Sequence, residues 1–201
     1  MENLTTIYFS SVGRGQPLLI NFPPNTNGVL PDNFVQRVLE FGETINKTFE
    51  FDYAQQPGVK VTASSYRGDK IAKYSLQNER LKNEISFRPE NVIDGSVDTY
   101  WTMDDEYTTG ELTVDFGKFV ELNIISIREH IPLGQRIMGY VVYVHTTNGW
   151  EKYGEAKSLG SRRLFRGELV SADKMKLVIT ESQAVPLIEE FGAFKGYGAF
   201  Q

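Results

Sequence analysis

The stretch "ENVIDGSVDTYWT", residues 90–102, crowds oxygen-bearing side chains around a glycine: Asp94, Ser96, Asp98 and Thr99 lie close to Gly95. Hard cations such as Ca²⁺ take about six to eight oxygens, from carboxylates and carbonyls alike. A tight loop with a glycine lets backbone carbonyls turn toward one centre, and Trp101 is placed to anchor that loop on a core. The same residue types also build an Asx turn that holds no ion, so spacing alone leaves both readings open.

Other chemistries find less support. The chain has no cysteine, which excludes disulfides and thiolate metal sites. Its two histidines, His130 and His145, have no serine, cysteine or second histidine at ligand or nucleophile spacing. Asp104, Asp105 and Glu106 read as a solvated acidic run, and Asp32 as a helix cap. A net charge of −5 without a basic run argues against an electrostatic nucleic-acid binder. No apolar stretch approaches the roughly 20 residues that span a bilayer, and the N-terminus lacks the charged and apolar regions of a signal peptide. Asn3 and Asn46 match the glycosylation pattern, one that chance often produces.

The elements that must position these residues change character along the chain. Its 201 residues are 40% hydrophobic and 23% charged, as expected of a globular protein. In the first fifty, Asn3 to Phe9 reads as a helix end and Leu18 to Phe22, between Gly-rich and Pro-rich flanks, as a buried strand. Phe34, Val35, Val38, Leu39, Phe41 and Ile45 follow at helical spacing. This helix–strand–helix order is α/β in character.

Past Pro57 and Gly58, short β-branched and aromatic runs alternate with turns. Strands are expected at 59–64, 112–116, 122–129, 140–146, 150–156, 163–165, 174–180 and 188–194, with a hairpin turn at Thr147, Asn148 and Gly149. Residues 67–88 form a polar excursion with a short helix near 78–84. The pattern predicts an all-β sandwich or barrel.

Five motifs in order, "VTASSYRG", "NVIDGSVDTYW", "LTVDFGK", "KMKLVITES" and "LIEEFGAF", resemble the F5/8 type C (discoidin-like) domain, also called carbohydrate-binding module family 32, over about 59–194. The resemblance implies a jelly-roll β-sandwich with structural Ca²⁺ beside the Asp-Gly loop. Asp94 and Thr99 would supply side-chain oxygens, Asn91 and Glu189 backbone carbonyls, and Glu190 a late carboxylate. Ser96 stands where many members carry Asp or Asn, and is the weaker ligand.

The opening segment "IYFSSVGRGQPLLINFPPNTNGVLPDNFVQRVLEFGETINKTF" resembles the end of an α-L-fucosidase catalytic barrel, glycoside hydrolase family 29. "SIREHIPLGQRI" resembles the sandwich attached to bacterial members. The chain then divides into a barrel remnant, 1–52, and a sandwich, 58–195, and Leu18 to Phe22, a last barrel strand without its neighbours here, is expected to be disordered-prone, to fold back on the 34–45 helix or to pair with another chain. The resemblance places the catalytic carboxylates upstream, so this chain alone is expected to be no enzyme. A retaining glycosidase needs such a pair about 5–5.5 Å apart.

In discoidin-like domains, sugars bind on loops at one end of the sandwich. Vicinal hydroxyls want bidentate polar partners, and a C–H face wants an aromatic wall. Glu129, His130, Gln135 and Arg136 form the best cluster, with Tyr66 or Tyr107 as the wall. The same segment could instead dock the sandwich on the catalytic barrel, with Arg136 in an interface ion pair. Trp150 reads as a cover for the sandwich face rather than a sugar platform. The implied partners are galactose- or fucose-type glycans and the parent's barrel, and the implied location is secreted or periplasmic.

Overall fold

The computed structural model describes residues 2–68 and 86–201. The helix expected near 78–84 lies outside them. Two helices open the chain, α1 (Glu2–Ser10) and α2 (Asp32–Phe49). Seven antiparallel strands follow: β1 (Lys60–Ala63), β2 (Trp101–Thr102), β3 (Gly110–Glu129), β4 (Ile137–Thr146), β5 (Gly149–Ala156), β6 (Arg163–Ser182) and β7 (Leu187–Phe194).

The strand order is β2-β7-β3-β6-β4-β5, with β1 on the other side of the first part of β3. β3 and β6, 20 residues each, run through both layers. Their first ladder pairs Gly110–Asp115 with Ile179–Lys174, and their second begins at Val120 and Ala172. Between the two, Gly117 sits at φ 70°, a value that suits glycine, and the ladder is interrupted. One layer is thus β1, early β3, late β6, β4 and β5. The other is β2, β7, late β3 and early β6. The pairs of short strands expected at 112–116 with 122–129, and at 163–165 with 174–180, are therefore two continuous strands.

Burial follows the pleat. Leu112 and Val114 point inward while Glu111, Thr113 and Asp115 do not, and Tyr140, Val142 and Val144 alternate with half-exposed neighbours in the same way. Residues of both layers, from Val61 and Leu177 to Trp101, Ile125 and Phe191, form one core. The hairpin joins Thr146 to Gly149; only Gly149 has positive φ there, so Asn148 does not use the left-handed region expected of it.

Late β3 is buried continuously from Asn123 to Ile127, because its second face is covered too. There α1 and α2 pack Tyr8 and Phe41 onto Ile124, Leu164, Phe194 and Phe200. Phe200 belongs to a terminal 3₁₀ turn, Gly198–Phe200, and its ring centroid lies 5.3 Å from Tyr8 and 4.9 Å from Phe9. Buried Asn123 fixes this turn: its amide donates to the Phe200 carbonyl (2.8 Å) and accepts from the Gly196 N–H (2.6 Å). Asp52 ties the end of the helical region to β7. One carboxylate oxygen accepts the N–H groups of Ala54 (2.8 Å) and Ala193 (2.9 Å). The approach is so close that a Cβ on Gly192 would lie 2.5 Å from the other oxygen.

Two expectations for the opening segment fail. Leu18 to Phe22 is not a strand: among the described residues it has no ladder partner, and a strand needs one to satisfy its backbone. The segment instead lies extended along the helices. Leu18 and Ile20 rest on the aromatic cluster, Phe22 meets Phe34 at 6.2 Å, and Leu19 is 96% exposed. Asp32 is not the cap of α2. Pro31 occupies the cap position with its φ fixed near the required value, and its carbonyl accepts from Phe34 and Val35. Asp32 falls in the first turn, where its charge suits the helix dipole. Phe41 alone of the six apolar positions expected along α2 is fully buried; Val35, Val38 and Leu39 are exposed.

Candidate functional site

Late β3, the start of β7, β2 and the loop 91–100 converge at one end of the sandwich. Trp101 is fully buried and donates its indole N–H to the Ser65 carbonyl (3.0 Å), which anchors the loop as its sequence position implies. Thr102 donates to the Pro186 carbonyl (2.9 Å). The backbone N–H groups of Arg67 and His130 reach Thr102 and Leu187. These bonds assemble a row of rings and charges in which the His130 and Glu189 side chains are only 12% and 11% exposed. His130 stacks on Tyr100 with centroids 4.3 Å apart, Phe87 lies 5.2 Å beyond, and the Arg67 guanidinium stands over Phe87 at 6.0 Å. Arg67 also pairs with Asp105, whose side chain stays 84% exposed, so the run is solvated although one member has a partner. At the other end of the row Glu189 meets His130 Nδ1 (3.3 Å) and Arg128 Nε (3.4 Å).

The five residues expected at a sugar site fall in three settings. Glu129 is 1% exposed, and its Oε1 accepts the N–H groups of Arg136 (2.6 Å) and Ile137 (3.0 Å). Burial pushes its pKa up, against the pull of those N–H groups and of Arg136. Arg136 in turn donates to the carbonyls of Val185 (2.9 Å) and Leu133 (3.1 Å), and Gln135 to Ser158 (2.6 Å). These three side chains hold the 130–137 loop in place. His130 belongs to the aromatic row, and Tyr66 packs half-buried on the core. Tyr107 is exposed.

The Asp-Gly loop closes on itself. Asp94 Oδ1 accepts the Ser96 N–H (2.8 Å), Oδ2 accepts the Thr99 hydroxyl (2.7 Å), and Ser96 Oγ accepts the Asp98 N–H (3.2 Å). Asn91 donates its amide to the carbonyls of Ser86 and Tyr100. One carboxylate, two hydroxyls and an amide oxygen are hard donors that suit Ca²⁺. The Glu190 carboxylate accepts the Ser126 hydroxyl (2.6 Å) and faces Arg128 (3.7 Å). Among the described residues no group of three or more His, Cys, Asp or Glu forms a ready metal cage.

Sequence reasoning offered the Tyr66-Arg67 loop as a candidate but passed over Phe87, Tyr100 and Arg128, which join the row only through the β2–β7 and β3–β7 pairings. It also passed over Asp52, whose pKa burial raises to about 6 in spite of its two N–H donors. His145 makes a 2.7 Å contact with Asp173 and an edge contact with Trp150. Trp150 is 42% exposed, with Lys176 over its ring at 4.9 Å. No helix among the described residues is long and apolar enough to cross a membrane.

The family model described as "F5/8 type C domain" matches residues 60–191. The chain is 30% identical to Alpha-L-fucosidase 1 of Arabidopsis thaliana over 194 residues, which is 95% of this chain and 35% of that protein. All of it superposes on a Ruminococcus gnavus GH29 fucosidase solved in complex with fucose, at TM-score 0.86 and 33% identity, covering 37% of that chain. A chitosan-binding module from a Paenibacillus sp. IK-5 chitosanase/glucanase shares the fold, with TM-score 0.56 and 16% identity over 71% of this chain and 97% of the module. The chain thus spans about a third of the length of the fucosidases it matches.

Proposed function

The chain belongs to the F5/8 type C domain family, and we propose that it is the non-catalytic glycan-binding module of an α-L-fucosidase, holding the catalytic part near galactose- or fucose-bearing glycans outside the cytoplasm. The observation that carries the reading is the superposition of the whole chain on about a third of a fucosidase. On this reading residues 1–52 are the last part of the catalytic barrel, 58–195 are the binding module, and the catalytic carboxylates lie in the rest of the parent.

The sugar would sit at the loop end of the sandwich. Tyr100 offers a ring there, backed by the largely buried His130, and Arg67, Asp105 and Arg128 offer polar groups. Glu129, Gln135 and Arg136 shape the loop beneath it, and Tyr66 supports it from the core. Calorimetric titration with fucosylated and galactosylated oligosaccharides should show binding that His130→Ala abolishes. No heat across a broad neutral panel would sink the proposal. Turnover of an aryl fucoside by this chain alone would overturn its non-catalytic part.

Structural calcium is part of the proposal. Asp94, Ser96 and Thr99 would hold the ion with their oxygens, Asn91 and Glu189 with carbonyls, and Glu190 with its carboxylate. The ion would supply stability, since a ligand of the folded state alone raises the melting temperature.

A second reading is favoured by one feature. Leu19, Val35, Val38 and Leu39 are apolar and exposed on the helical segment, as on a face that another part of the protein covers. On that reading the chain docks on the catalytic barrel and binds no sugar. It should then co-purify with a separately produced barrel and show no sugar-dependent shift.

A further inference from the structure

A groove of about 290 Å³ lies where the end of α2 meets the end of β7, lined by Lys47, Thr48, Phe51, Tyr53, Lys195 and Tyr197. The first residues of β7 pair with β2 beside the loop 91–100, and Lys195 follows its last residue. The groove is therefore at the opposite end of this strand from the row around His130. Phe51 and Tyr197 are exposed, although water disfavours large aromatic surface. Exposed apolar residues scattered singly need no explanation. Here two exposed rings and half-buried Tyr53 share one concavity.

These rings are held in place. The buried Thr48 hydroxyl accepts the Tyr197 N–H (2.9 Å), and Lys47 donates to the Tyr197 hydroxyl (3.2 Å). Phe51 meets Tyr53 edge-on, with centroids 5.2 Å apart, and Tyr53 packs on the sandwich core. Between these two, Asp52 is tied to the N–H groups of Ala54 and Ala193. A ligand would find the rings already placed, which spares it an ordering cost.

The polar groups narrow the ligand. Lys47 pairs with Glu43 (2.7 Å) and Lys195 with Glu121 (2.6 Å), so both ammonium charges are compensated and neither calls for an anion. An ammonium has three N–H donors. Lys47 directs two to Glu43 and Tyr197, and Lys195 one to Glu121, which leaves donors for neutral oxygens. The Tyr53 hydroxyl lies near Lys195 and has no hydrogen-bond partner among the described residues. Exposed rings beside spare donors and balanced charge match a sugar ring, with C–H bonds on its face and hydroxyls around its edge.

We propose that this groove binds a neutral pyranose, with Phe51 and Tyr197 against its C–H face and Lys47, Lys195 and Tyr53 on its hydroxyls. The volume is at the small end for ligand sites and suits one ring. The inference rests on the glycan-binding reading and adds a second contact on another surface, so the two can fail separately.

The test is an NMR titration of the 201-residue chain with methyl β-galactoside and methyl α-L-fucoside, and with glycerol as a polyol that has no ring. The amides of residues 47–53 and 195–197 should shift saturably with at least one glycoside, at about millimolar Kd for so small a ligand, and not with glycerol. Phe51→Ala removes a ring whose one ring contact among the described residues is Tyr53. It should weaken this binding about tenfold, as the loss of a stacking contact does, with little change in melting temperature. Phe51→Leu, which keeps apolar bulk without the ring, should show the same loss. His130→Ala should leave the groove's response intact.

No saturable shift at these amides, an equal response to glycerol, or unchanged binding in Phe51→Leu overturns the proposal. Phe51 variants that bind the glycosides normally but lose association with a separately produced catalytic part also overturn it, and assign the rings to a protein contact. Shifts in the groove without shifts in residues 91–100 and 128–131 would support this inference while sinking the loop-end reading. Shifts at the loop end alone would do the reverse.

Discussion

The core inside the sandwich and the aromatic cluster beneath the two helices use the same kinds of residue and close in different ways. The sandwich core is surrounded by its own strands, so Trp101, Leu122, Ile125 and Phe191 have neighbours in every direction. The cluster of Tyr8, Phe41, Phe194 and Phe200 is closed on one side by late β3, early β6 and β7, and on the other by two helices whose outer residues face solvent. Proximity to an apolar face does not amount to burial: Val35, Val38 and Leu39 share α2 with Phe41 and remain exposed. The sandwich is thus built to stand by itself, and the helical segment stands by leaning on it.

Substitutions can break this contrast or sharpen it. Trp101→Ala should cost about 3–5 kcal/mol, the range for deleting a large buried aromatic, and should shift the denaturant midpoint of the whole domain. Phe200→Ala falls in the same class, at about 3 kcal/mol, but its effect should stay local. Hydrogen exchange should lose protection over residues 2–49 while β3 and β6 keep theirs. If Phe200→Ala unfolded both regions together, the two clusters would be one cooperative unit and the contrast would fail.

Asp52 stands at the seam and gives a pH test. Its folded pKa of about 6 lies above the ordinary aspartate value of 3.8, chiefly because burial disfavours the charge. The native state therefore binds the proton more tightly than the unfolded chain, and this group's contribution to stability falls as pH rises from about 4 to 6. The loss amounts to about 2–3 kcal/mol and is complete above pH 6. Asp52→Asn keeps an acceptor for Ala54 and Ala193 without the charge. It should be more stable than the parent at pH 7, with the difference vanishing toward pH 4 in melting curves. A difference independent of pH would mean that Asp52 is not desolvated at the seam.

If the Asp94 loop holds calcium as proposed, a chelator should lower the melting temperature, with protection lost first in residues 91–100. No change would leave the Asp94 loop closed by its own hydrogen bonds alone. The smallest effect is expected at Leu39→Glu, within about 0.5 kcal/mol because the side chain is already in water.

Local chemistry made much of this visible in the sequence. Period-two alternation located most of the strands, and the family motifs named the sandwich, because both depend on neighbours a few residues away. The apolar character of the Leu18–Phe22 run fits burial in a sheet, but a strand also needs a ladder partner, and none is found among the described residues. Likewise "REHIPLGQR" reads as a concentrated polar run. Yet only the fold decides that Glu129 turns inward to backbone N–H groups while His130 stacks on Tyr100. Asp52 and Asn123 were illegible for a related reason: their partners, Ala193 and Gly196 with Phe200, lie far along the chain.

Gly192 sits within β7 without a positive φ, so nothing in its own backbone calls for glycine. The demand comes from Asp52, which occupies the space where a side chain would begin. That links the ancestry of two distant positions. Sandwich domains that descend without the helical segment lose the Asp52 contact and are left with only the Phe194 ring, 3.2 Å from where a Cβ would sit. Those that carry the segment should keep glycine and aspartate together, and a paired loss of both would mark a lineage in which the helices have come away.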